Sequence, residues 1–272
     1  MYPYINVFGL QYSTYGICSA VGVLLMGLVV YLLSRKKNIS IEDLLIGTVA
    51  ALAGAFLGAH ILYGITNIPY MVNGIQTFVN EQKDIEYLFG VIINGIGGMV
   101  FYGGLLGALG VGALYCKFRK ISVGDFADCF AVGIPLFHVF GRIGCFLAGC
   151  CFGIESEFGF TTTNALVETC NHVNRFPVQL LESGLNFILF AVMLILFSKK
   201  VMKNYLIFVY LFLYSIIRFV DEFFRGDIYR GVLFGLSTSQ WISLILFIVC
   251  IIVFVKYFVD KKKDKDRIVT KV

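Results

Sequence analysis

Arg218 and Glu222 lie four residues apart in "RFVDEFFRGD", with Arg225 three further on. A helix through them puts all three on one face, with Asp221 beside them. His138 and Arg142 repeat the four-residue spacing in "FHVFGRIGCFLAGCCFG". Gln179 and Glu182 stand three apart in "RFPVQLLE", just after Pro177, which can open a helix at its first turn. All of these sit in mostly apolar runs, where an ionisable group is expensive and lines a cavity or pairs with another charge. Two readings fit the arginines. In one, Arg218–Glu222 fixes helix packing and Arg142 stretches toward a membrane surface. In the other, each guanidinium fork makes paired charge-assisted bonds to a phosphate. Glu182 needs a partner or a proton.

The eight cysteines divide by context. Cys18, Cys116, Cys129 and Cys250 read as small core hydrophobes. Cys145, Cys150 and Cys151 cluster at the end of an apolar run, with Cys170 in the loop that follows. No CxxC is matched by a second one, so no metal site is expected. A bridge from Cys170 to Cys150 or Cys151 and a set of reduced thiols are both open. His60 in "GAHILYG" reads as a satisfied structural histidine. Tyr102 is the polar group of the Gly-rich stretch "NGIGGMVFYGGLLGALGVG", whose Gly103, Gly104, Gly107, Ala108 and Gly112 allow close backbone approach between helices.

The elements that must carry these residues are membrane spans. Of the 272 residues, 58% are hydrophobic and 14% charged, against about 45–50% apolar in a soluble domain. Mean hydropathy is +0.84. The expected class is an all-α, polytopic integral membrane protein with seven transmembrane helices. They cover Thr14–Leu33, Leu44–Thr66, Ile92–Tyr115, Phe126–Phe146, Val178–Phe197, Tyr205–Val220 and Gln240–Val259. The third is expected to open with a partly non-helical stretch, and the sixth to run on through Phe224. The start "MYPYINVFGLQYS" lacks the basic residues of a signal peptide, so the first span is expected to be retained. Basic clusters "SRKK", "KFRK", "SKKVMK" and "KYFVDKKKDKDR" follow alternate spans, which puts the N-terminus outside and the C-terminus in the cytoplasm. The net charge of +5 is that collar facing anionic lipid, with no nucleic-acid partner required. No linker or repeat divides residues 1–272, which read as one membrane domain.

This topology gathers Tyr102, Arg142, Gln179, Glu182, Arg218 and Glu222 toward the outer half of one bundle. Two arginines converging there point to a phospholipid phosphate more than to a water-soluble substrate.

The chain resembles the prolipoprotein diacylglyceryl transferase family. The resemblance rests on "TYG" (14–16), "GAHILYG" (58–64), "FYGGLLG" (101–107), "GRIGCFLAGCCFG" (141–153), "RFPVQLLE" (175–182) and "RFVDEFF" (218–224). It implies a multi-pass enzyme of the bacterial cytoplasmic membrane. Such an enzyme moves the diacylglyceryl group of phosphatidylglycerol to the thiol of a lipobox cysteine in a secreted preprotein. It releases glycerol phosphate and needs no cofactor or metal. The resemblance marks Tyr15, Arg142, Arg218 and Glu222 as functional positions. The candidate catalytic residues are Tyr102, Arg142, Arg218 and Glu222. The candidate substrate-binding residues are Tyr15, Arg142, Gly144, Cys145, Gln179, Glu182, Arg218 and Arg225. The chain departs from the pattern at Tyr102, where the family usually has histidine, and at Cys145, usually asparagine. Cys150 replaces a commonly acidic residue and His60 a common arginine. These departures leave open a paralogue with another acceptor, or a non-catalytic lipid-binding protein on the same fold.

Overall fold

The structure, a computed structural model, describes residues 1–226 and 232–269; of Val7, Phe101, Tyr102, Val232, Leu233 and residues 264–269 it describes the backbone only. Arg230 and the end of the Lys-rich tail lie outside the described residues. The helices are α1 (Thr14–Lys36), α2 (Ile41–Thr66), α3 (Ile68–Asn80), α4 (Ile85–Ile96), α5 (Phe101–Phe118), α6 (Val123–Ala148), α7 (Val178–Ser198), α8 (Leu206–Asp221) and α9 (Thr238–Val269). Three small antiparallel pairs accompany them: β1 (Tyr4–Val7) with β2 (Leu10–Ser13), β3 (Glu155–Thr161) with β4 (Asn174–Arg175), and β5 (Val232–Leu233) with β6 (Leu236–Ser237).

Five helices, α1, α2, α6, α7 and α9, are long and apolar enough to cross a bilayer. Their outward faces carry residues such as Leu24, Leu28, Leu52, Phe187, Ile188 and Ile245, all exposed. Water does not tolerate so much exposed apolar surface, whereas lipid does. The chain is a multi-pass membrane protein. Helices α5 and α8 are shorter, at 18 and 16 residues. The expected third span is interrupted: α4 ends at Ile96, and the chain re-enters a helix only at Phe101. Gly97 and Gly98 occupy that break, and a Cβ on Gly98 would lie 2.3 Å from the Tyr63 ring. Helix α8 stops at Asp221 and continues as a single tight turn over Glu222–Phe224.

The described residues form two compact units, Ser34–Phe126 and Met1–Leu33 with Ala127–Val272. In the first, α2 and α5 touch backbone to backbone. A Cβ on Gly58 would lie 2.2 Å from the Gly103 carbonyl oxygen, and one on Gly107 would lie 2.0 Å from that of Gly54. Small residues four apart on both helices are what permit this approach. Ser40 caps α2, its hydroxyl accepting from the Asp43 amide at 3.0 Å. Asp43 in turn accepts from Arg119 at 2.7 Å and Tyr115 at 3.1 Å, tying the start of α2 to the end of α5. His60 is structural as expected: its Nδ1 meets the Ile96 carbonyl at 2.9 Å and its ring sits edge-on to Phe56.

In the second unit α1 lies along α6. Gly22 admits Phe140, Gly133 admits Met26 and Val30, and Gly144 admits Tyr15. Pro135 lies inside α6, where it removes one helical hydrogen bond. Ser183 of α7 donates to the Val139 carbonyl of α6 at 3.1 Å. The buried Asp128 carboxylate of α6 accepts from the Asn204 and Leu206 amides at 2.6 and 2.9 Å, capping α8 from a neighbouring helix.

Candidate active site

The end of α6, the start of α7 and the end of α8 meet in the second unit. Each brings at least one charged side chain into a largely buried place. Glu182, only 1% exposed, takes the Arg142 guanidinium at 2.8 Å. This is the partner its depth demands. Arg218 and Glu222 form the expected pair one helical turn apart, and Arg218 also donates to the Ser239 hydroxyl of α9 at 3.1 Å. Asp221 is fully buried and lies within electrostatic reach of Glu182, Arg218, Arg142 and Arg225. Among the described residues both its carboxylate oxygens lack a hydrogen-bond donor, and Arg218 Nη1 lacks an acceptor. Buried polar atoms are rarely left so. A cluster with an orphaned guanidinium nitrogen is poised to take an oxygen from outside the chain.

Arg225 departs from the expectation. Because α8 ends at Asp221, Arg225 does not continue the Arg218–Glu222 helical face. Its backbone is extended and pairs with Gly153. Its buried guanidinium instead hydrogen-bonds the Cys151 thiol. Gln179 donates its amide to the Cys150 carbonyl at 2.8 Å, so it fixes the turn after α6. Tyr15 is half exposed beside Gly144. Tyr102 belongs to the first unit, at the start of α5. His138, one turn before Arg142, is held by Tyr210 at 3.4 Å, by the Tyr214 ring and by Asn186.

The turn after α6 follows from one residue. Gly149 has φ +73°, its amide donates to the Phe146 carbonyl at 3.2 Å, and the Cys150 amide reaches the Cys145 carbonyl at 3.1 Å. This is a Schellman closure, for which glycine is the favoured residue. It folds Cys150 and Cys151 back over Cys145, so the three sulfurs lie within 4.8 Å of one another. Cys145, Cys150 and Cys151 are thiols, and neither Cys150 nor Cys151 is bridged to Cys170. The Cys151 thiol is held below the usual thiol range by hydrogen bonds from Cys145 and Cys150 and by the Arg225 guanidinium, against burial. Arg175 staples the neighbouring loop, donating to the Gly153 and Thr169 carbonyls at 3.2 and 3.0 Å and lying over the Phe152 ring.

The residues missed by the sequence reading are Ser239 and the tyrosines that hold His138; Asp221 is placed beside Arg218 by the sequence but is not among the candidate site residues. Asp221 carried a signal, since an acid in an apolar run is costly wherever it points. Ser239 carried none, because a serine opening a span is common.

Fold and site together define a multi-pass membrane protein with largely buried arginine–carboxylate pairs where its helices converge. Residues 3–256 match the family described as prolipoprotein diacylglyceryl transferase. The phosphatidylglycerol–prolipoprotein diacylglyceryl transferase of Clostridium tetani is 32% identical over 252 residues, covering 92% of this chain and 94% of that one. Its namesake in Campylobacter jejuni is 31% identical over 259 residues, covering 92% and 91%. Clostridium perfringens has a transferase of the same name, numbered 2, that is 32% identical over 96% of this chain and 95% of its own length. The chain belongs to the prolipoprotein diacylglyceryl transferase family.

Proposed function

We propose that this protein transfers the diacylglyceryl group of phosphatidylglycerol to the thiol of a lipobox cysteine in a secreted preprotein, releasing glycerol phosphate. The observation that carries the reading is the arginine cluster. Arg142 and Arg218 are each backed by a largely buried carboxylate, and among the described residues one nitrogen of Arg218 has no acceptor. In the reaction the acceptor sulfur attacks the glyceryl carbon next to the phosphate. A carbon–sulfur bond forms, the carbon–oxygen bond breaks, and its electron pair stays on the departing phosphate oxygen. Arg142 and Arg218 grip that phosphate and neutralise the charge that develops. Glu182 and Glu222 aim the two forks, and Arg225, Gln179, Gly144, Cys145 and Tyr15 form the acceptor side. An apolar groove of about 190 Å³ between α8 and α9, lined by Ser215, Ile216, Phe219, Leu244 and Phe247, begins one turn from Arg218 and suits an acyl chain.

The names of the relatives support this donor and acceptor. We read α5 and α8 as the two further spans of a seven-helix, single-domain bundle. Its N-terminus is outside and its C-terminus in the cytoplasm of a bacterial cytoplasmic membrane, on the strength of the basic clusters. Single cysteines near Lys83 and Asn164, in a background lacking the native reactive thiols, then label from outside intact cells, while one near Lys200 does not. The reverse pattern overturns the orientation.

Transfer of labelled diacylglycerol from phosphatidylglycerol to a lipobox peptide tests the function. The purified chain must modify the peptide, and must fail on one with serine for cysteine. In the same assay Tyr102→Phe keeps activity within about tenfold, since a tyrosine contributing one hydrogen bond is worth roughly 1 kcal/mol. A loss of about a hundredfold or more would make Tyr102 the general base. A chain that modifies no lipobox peptide is not this transferase.

A further inference from the structure

The three-thiol cluster is not explained by phosphate binding. Its geometry suits a metal. Zinc takes thiolates at about 2.3 Å, which spaces the sulfurs of a tetrahedral site about 3.8 Å apart. Cys145, Cys150 and Cys151 already lie within 4.8 Å of one another, so closing on an ion needs shifts of about 1 Å or less between sulfurs. An all-thiolate set favours zinc over harder ions. Two features go beyond ligand count. No fourth Cys, His, Asp or Glu joins the group among the described residues. And the cluster is lopsided: Cys145 is buried, while Cys150 and Cys151 are partly exposed. Three protein ligands with one open side is the pattern of zinc sites that bind a substrate, whereas structural sites are closed by four. The surroundings are built to hold it. The Gly149 turn sets the backbone, Gln179 fastens the Cys150 carbonyl, and Arg225 donates to Cys151. Arg142, on the same helix, lies within electrostatic reach of both Cys145 and Cys150. A phosphate on Arg142 and a ligand on the three sulfurs would be neighbours.

We propose that Cys145, Cys150 and Cys151 bind one zinc ion whose fourth position receives the thiol of the acceptor peptide. The inference rests on the proposed function for the identity of that thiol. Zinc holds the incoming cysteine as a thiolate and releases its proton to solvent. The sulfur then attacks the glyceryl carbon of the donor gripped by Arg142 and Arg218. The product thioether is a poorer ligand and leaves the ion to water. No side-chain base is needed, which accommodates the tyrosine at position 102.

The test uses the full-length reduced chain in detergent, stripped of metal and titrated with Co(II) as a coloured stand-in for zinc. We expect one equivalent to bind with sulfur-to-metal charge-transfer bands and the visible bands of a tetrahedral site. Cys145→Ser, Cys150→Ser and Cys151→Ser each weaken binding about a hundredfold or more, and Cys250→Ser leaves it unchanged. A lipobox peptide shifts the visible bands, and its serine counterpart does not. In the unmutated chain zinc slows alkylation of these three thiols at least about tenfold, a readout that survives if a variant fails to fold. Substoichiometric binding, or equal weakening by Cys250→Ser, overturns the site. Binding without a peptide-induced shift overturns the open position. Undiminished transfer by the triple serine variant also overturns the inference while leaving the proposed function intact. Metal binding and a peptide shift in a chain that transfers nothing would fault the donor reading alone.

Discussion

Arg218→Ala is expected to cut the rate of diacylglyceryl transfer about a thousandfold or more, and Arg142→Ala to do nearly as much. Each guanidinium is charged throughout the accessible pH range and is held by a carboxylate in a largely buried place. One preorganised donor to developing negative charge is worth about a hundredfold to a thousandfold. Arg218 should sit at the upper end. Its two polar contacts hold one arm of the fork, with Glu222 and Ser239 on the same nitrogen, and Asp221 is close enough to add its field. Lysine at either position should recover little, because an ammonium is a single point charge without the paired geometry. The assay is transfer at matched protein levels in detergent, with folding checked by gel filtration. Near-normal activity of both alanine variants would sink the phosphate grip.

Glu182→Leu is expected to destabilise the protein by about 3–5 kcal/mol, because it strands Arg142 in a largely buried place without its counter-charge. The double variant Arg142→Met, Glu182→Leu should regain most of that loss. Removing both members of a buried pair spares the desolvation cost that each alone cannot escape. Activity should follow a different course: low in the single variant and lost in the double, since on the proposed reading Arg142 grips the donor phosphate. Equilibrium unfolding in mixed micelles reads the first quantity and the transfer assay the second. A double variant no more stable than the single would mean that the pair contributes little to holding α6 against α7.

Much of the fold was legible because bilayer thickness converts directly into apolar length. The α1, α2, α6, α7 and α9 helices each fill a window that only a span explains. Length could not resolve α4 from α5, since both are apolar and the break between them is made by two glycines, residues equally at home inside a membrane helix. The site was half legible. Spacing of four found Arg218–Glu222, because a helix guarantees that contact. Spacing misled at Arg225, where the pattern was extended one turn past the true helix end. The Arg142–Glu182 pair joins two helices 40 residues apart in sequence, and no local period encodes it. The crowding of three cysteines at the end of one apolar run was legible, but the convergence of their sulfurs was not. A five-residue and a six-residue separation from Cys145 match neither a helix face nor a familiar metal motif. They converge only because Gly149 reverses the chain through a left-handed conformation.

Asp128 has a part to play far from its own contacts. Its carboxylate joins α6 to the first residues of α8. From that joint, α6 rises about 21 Å to Arg142 and α8 about 18 Å to Arg218, at 1.5 Å per residue. The joint therefore sets the register of the two helices, and each arginine lies a comparable length of helix away from it. On the proposed reading, sliding one against the other would stagger the two guanidinium groups that hold the donor phosphate. The spacing of that proposed grip would be set from the far end of the two helices that carry it.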